Sequence, residues 1–135
     1  MQAELLTVLM SAAAQLGGYT APETLPTIEY RDHAFFVDRV CGGRECTAAG
    51  WYNDEGVIYI DERFREADTP NIASLYVHEF VHYLQHQSGR FDPHSCSDAT
   101  VRERHARYVQ NEYMLQYSSS VARFWNVDGL TCRYD

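Results

Sequence analysis

The apolar positions of this chain follow two periods, and where each holds predicts the elements. Over residues 2–16, Leu5, Leu6, Leu9, Ala13 and Leu16 recur at helical spacing and stop at Gly17-Gly18, predicting an amphipathic helix. After the segment from Pro22 to Pro26, residues 27–30 read as a short strand and residues 32–40 as a short helix with Asp32 at its N-cap. Two β-prone runs follow, 50–52 and 57–60, separated by the turn residues Asn53-Asp54-Glu55-Gly56, which predicts a hairpin. Thr69 followed by Pro70 starts a helix and Gly89 stops it, so residues 70–88 form one long helix. Asp98 or Thr100 can cap another over residues 101–117, and a last helical turn is expected at 121–125. Helices, a hairpin and then two long helices make an α+β architecture.

Length and composition limit this picture without changing it. A chain of 135 residues is the size of one domain with its own core, so residues 1–135 are expected to form a single unit. No window reaches the apolar run of a membrane helix, so no membrane insertion is expected. Glu4 stands where a secretory signal would carry positive charge, so the first segment reads as a helix and not as an export signal. A formal charge of -8 argues against a nucleic-acid partner, because phosphate binding needs a basic stripe and the arginines here are scattered among acids. Every basic residue is arginine; nothing in the sequence explains the absence of lysine.

The chemistry sits in the long helix, at His78-Glu79-Phe80-Val81-His82. Residues four apart on a helix lie one turn apart on nearly the same face, so both imidazoles can reach one ion. Glu79, one position on, falls beside that pair, where its carboxylate can take a proton from a water molecule without displacing a ligand. This is the HExxH pattern of zinc hydrolases: the metal brings the water's pKa toward neutrality, and the acid accepts its proton and returns it to the leaving amine. The plain alternative is a pair of core histidines with Glu79 in an ion pair.

A catalytic zinc needs a third protein ligand and one open position. The metzincin extension requires glycine and histidine where this chain has Gln85 and Ser88, so that class is rejected. His86 lies a further turn along the helix and is expected to pass the ion. His94, in the loop after Gly89, and His105, on the following helix, both remain open. Glu103-Arg104-His105-Ala106 resembles the ExxA element of the gluzincins, the thermolysin-like zinc peptidases, in which a second helix supplies a glutamate. The resemblance covers the hairpin, the HExxH helix and the next helix, about half the chain. It extends to small bacterial zincin-like proteins through the HExxHxxQ run from His78 to Gln85 and the run Gln110-Asn111-Glu112-Tyr113. It implies a minimal zincin-like fold with zinc on His78, His82 and Glu103, and Glu79 as catalytic base.

The expected function is therefore a zinc-dependent hydrolase, a metallopeptidase acting on a peptide or protein substrate. A cell-wall peptide amidase would use the same chemistry, and a catalytically silent zinc-containing binding or inhibitory module would not need Glu79. The strand at 57–60 is a candidate to pair with an extended peptide, and Tyr113, Tyr108 and His33 are candidate oxyanion donors. The four cysteines allow three full pairings; Cys41 and Cys46 bracket a turn-like Gly42-Gly43-Arg44-Glu45 segment that could close on itself and leave Cys96 for Cys132, with buried free thiols as the alternative. Disulfides place the chain in an oxidising compartment, periplasmic or secreted. Nothing in the pattern bears on oligomeric state.

Overall fold

A computed structural model describes residues 3–92 and 94–117 of the protein. The elements run α1 (Ala3–Gly17), β1 (Thr27–Arg31), α2 (His33–Arg39), β2 (Gly50–Tyr52), β3 (Val57–Asp61), a short 3-10 turn (Glu62–Phe64), α3 (Pro70–Ser88) and α4 (Cys96–Tyr117). The fold is α+β, as the sequence predicts. The helical turn expected at 121–125 lies outside the described residues, as does Cys132.

Helix α3 is central, because its caps are strong and nearly all of its middle is apolar or buried. The Thr69 hydroxyl accepts from the Ile72 N–H, Pro70 opens the first turn, and Gly89 takes the left-handed conformation (φ 67°) that ends it. Leu75, Tyr76, Val77, Phe80 and Val81 are fully buried, and α3 packs against α1, α4 and β2. The apolar stripe of α1 is turned slightly from expectation: Leu9, Met10, Ala13 and Ala14 are buried, Leu6 and Leu16 flank them, and Leu5 is exposed.

The sheet has the order β1-β3-β2, with β1 parallel and β2 antiparallel to β3. The predicted hairpin is β2–β3; its turn is held by the Asn53 side chain, which accepts from the N–H groups of Glu55 and Val57. Because β3 is paired on both sides, it cannot add a peptide strand, contrary to the expectation from sequence. Among the described residues, the edge strand beside α3 is β2. Strand alternation turns Tyr52, Ile58 and Ile60 toward α3, and Trp51 and Tyr59 toward α2, where Phe35 packs on them.

Helix α4 starts five residues before the predicted position. The Ser95 hydroxyl accepts from the Asp98 N–H, so the cap is Ser95 and not Asp98 or Thr100. Cys41 and Cys46 form a disulfide with Cα atoms 6.4 Å apart, closing the loop between α2 and β2. Cys96 is also disulfide-bonded. No helix among the described residues is long and apolar enough to cross a membrane.

Candidate metal centre

Helix α3 brings His78 and His82 together by its own periodicity: their Nε2 atoms are 3.3 Å apart. Helix α4 crosses so that Glu103 faces both, with Oε1 2.7 Å from His82 Nε2 and Oε2 3.4 Å from His78 Nε2. One ligand atom from each of the three lies within 4.8 Å of the others, a group able to hold a metal ion. The carboxylate of Glu103 is thus engaged by the histidines and not by Arg102 or Arg107. His105, two residues on, is turned away: its Nε2–H donates to the Gly17 carbonyl at 3.1 Å, and its ring meets Tyr19 edge-on. His94 is exposed and outside the group, and His86 Nδ1 is hydrogen-bonded to the Tyr52 hydroxyl at 2.6 Å.

The surrounding hydrogen bonds fix the histidine tautomers. The Gln110 amide nitrogen donates to the Ser74 hydroxyl, whose own proton goes to the Asn71 carbonyl, so Gln110 Oε1 must face His78 Nδ1, at 2.9 Å. In the same way the Gln85 amide nitrogen donates to the Arg102 carbonyl, which can only accept, and Gln85 Oε1 faces His82 Nδ1, at 2.9 Å. Each Nδ1 is therefore a donor, and in the neutral rings each Nε2 presents a lone pair. Two lone pairs and a carboxylate converging on one point repel unless a cation lies among them. A proton on His82 serves the His82–Glu103 pair, while a divalent ion serves all three; the donor set fits a metal.

The electrostatics agree with that reading. Burial alone would lower the pKa of His82, but its hydrogen bond and charge interaction with Glu103 outweigh this and raise it to about 9. Burial opposes ionisation of Glu103, yet the two histidines hold its carboxyl well below the usual carboxylate range. Glu79 is 3% exposed and its pKa is raised, first by burial and further by Glu103, against the lowering effect of the histidines and of a hydrogen bond from the Tyr52 backbone.

The triad and Glu79 line a cavity of about 280 Å³, walled on one side by Gly50, Trp51 and Tyr52 of β2 and on the other by Arg102 of α4. Two larger cavities, of about 620 and 510 Å³, contain none of the triad, so size alone would have misplaced the site. Tyr113, Tyr108 and His33 do not line it: Tyr113 packs on Tyr117, Tyr108 is exposed, and His33 pairs with Glu45. None of the three expected oxyanion donors is in position.

Sequence reasoning gave no role at the site to four contributors. Gln110 follows Glu103 by two helical turns and Ser74 precedes His78 by one, so the helical period carried a signal for both. Gly50 carried none: a Cβ there would lie 3.0 Å from Glu79 Oε2 and 3.1 Å from Leu75, so glycine is what lets the edge strand lie against the acid. Arg102 carried none either, since only the fold shows which way it faces. Comparison of the chain with family models, with curated proteins and with solved structures gives no match.

Proposed function

We propose that this protein is a zinc-dependent hydrolase, a gluzincin-like metallopeptidase that cleaves peptide bonds. The observation that carries the reading is the convergence of His78 Nε2, His82 Nε2 and a Glu103 oxygen within 4.8 Å, with a separate buried acid, Glu79, in the same cavity. Two imidazoles and one carboxylate are a donor set of catalytic zinc sites, which keep a position open, whereas structural sites close it with a fourth protein ligand. Zinc held there would polarise a carbonyl and lower the pKa of a water molecule beside it.

The chain's own groups do the rest. Gln85 and Gln110 hold the two rings in the tautomer that frees Nε2. Glu79 accepts the proton of the attacking water and delivers it to the leaving nitrogen; its burial moves its pKa upward, toward the range in which one group can do both. Strand β2, at the edge of the described sheet, borders the cavity through Gly50, Trp51 and Tyr52, and its edge backbone groups other than the Tyr52 N–H, which Glu79 takes, would meet an extended peptide. The Cys41–Cys46 disulfide is consistent with a non-cytoplasmic location. A periplasmic or secreted peptidase is our reading.

The test is metal analysis followed by turnover. Purified protein reconstituted with zinc should retain about one ion per chain. Glu79→Gln should keep that zinc and lose hydrolysis of any peptide found by library screening. Zinc retention with equal turnover in Glu79→Gln would remove the general base, and zinc retention with no turnover of peptides or muropeptides by wild type would favour a silent binding module.

A further inference from the structure

Four buried side-chain polar atoms among the described residues lack a hydrogen-bond partner: His33 Nδ1, Arg102 Nε, Arg107 Nη1 and Asn111 Oδ1. Only Arg102 belongs to the lining of the metal cavity. That Nε is covered by the protein itself, whereas Nη1 and Nη2 of Arg102 are not among the buried unpartnered atoms, so it is these outer nitrogens that a ligand in the cavity would meet. Among the described residues of the lining, Arg102 is also the only cationic side chain, histidines aside, beside three carboxylates, Asp54, Glu79 and Glu103, and it forms an ion pair with none of them. Glu103, next to it in sequence, is committed to the histidines.

We propose that Arg102 is the carboxylate-binding residue of this cleft, and that the substrate is a short peptide whose free C-terminal carboxylate it holds. The planar guanidinium offers paired donors matched to a carboxylate, here the N–H groups of its outer nitrogens, Nη1 and Nη2. In a protein of charge -8, a lone cation placed among acids selects one anionic group and repels a polyanion. A cavity of about 280 Å³ spans about two extended residues, so a carboxylate on Arg102 sets the bond facing the triad close to the peptide's C-terminus. The inference rests on the peptidase reading of the pocket, but the arginine can be tested apart from it. The carbonyl, not the side chain, of Arg102 accepts from Gln85, so replacing the side chain leaves the support of His82 in place.

The experiment records the Arg102 Nε–H resonance, assigned by its loss in Arg102→Lys, after the zinc content of the same sample has been measured. Titration with acetyl-alanyl-alanine should shift it saturably, and the C-terminal amide of the same peptide should not. Arg102→Gln should bind the acid about tenfold or more weakly with unchanged zinc content and thermal stability. An equal response to acid and amide, or none to either, overturns the proposal even when zinc is bound. A selective response in protein that binds no zinc upholds the arginine's role and overturns the peptidase reading alone.

Discussion

Gln110 Oε1 lies 2.9 Å from His78 Nδ1, two buried groups 32 residues apart joined by a bond whose direction is set by Ser74 behind it. That bond points the lone pair of His78 at the ligand position. Gln110→Ala should therefore weaken zinc binding about 10–100-fold, and Gln85→Ala should do the same through His82. Competition against a chelator of known affinity checks both. Unchanged affinity in either variant would mean that packing alone orients the ring.

Glu103→Ala should weaken zinc far more than His105→Ala. His105 donates to the Gly17 carbonyl, so its removal should cost about 1 kcal/mol of folding stability and leave metal affinity unchanged. The reverse order in a zinc titration would transfer the third ligand to His105.

Gly50→Ala should impair catalysis without emptying the site. The added methyl would meet Glu79 Cγ and Oε2 at 3.0 Å, so the acid or the strand must move, at about 1–3 kcal/mol. The expected result is a fall in kcat with zinc content retained. A variant with unaltered kcat would show that Glu79 is not held by this contact.

Without metal, stability should depend on pH through the His82–Glu103 pair. The folded pKa of His82 is raised from 6.5 to about 9, so its contribution is complete below about 6.5 and is lost as pH rises through about 9. The pKa of Glu103 is lowered, so its contribution is present above its ordinary value of 4.5 and is lost as pH falls through its folded value. Metal-free protein should thus have its highest Tm between about pH 4.5 and 6.5, with a decline toward pH 9 that zinc abolishes. At pH 7, zinc binding should release about one proton per chain, seen as a buffer-dependent heat in calorimetry. No proton release would contradict a protonated His82 in the metal-free state.

The Cys41–Cys46 ring is short, so its reduction should cost about 2 kcal/mol. A linked peptide in a non-reducing digest, and a lower Tm in Cys41→Ser/Cys46→Ser, would confirm it. A Tm equal to wild type would show that the loop is held by other contacts.

What the sequence made legible was whatever local physics decides. The span of α3 follows from Thr69, Pro70 and Gly89, and the meeting of His78 with His82 follows from helical period. The hairpin follows from Asn53 to Gly56. The approach of Glu103 came through a family resemblance, since nothing local says where α4 crosses α3. The parallel pairing of β1 with β3 was invisible because its contacts lie about thirty residues apart, as Thr27 with Val57. That pairing leaves β2, and not β3, at the edge of the described sheet beside α3. The start of α4 was missed because Ser95, Asp98 and Thr100 are all competent caps and only folding selects among them. Gly50 and Arg102 matter through tertiary contact alone.

Anomalous diffraction at the zinc edge from crystals grown with zinc tests the central claim most directly. The account predicts a peak about 2.0–2.2 Å from His78 Nε2, His82 Nε2 and a Glu103 oxygen. Crystals with no peak there, or with zinc bound only elsewhere, would contradict it.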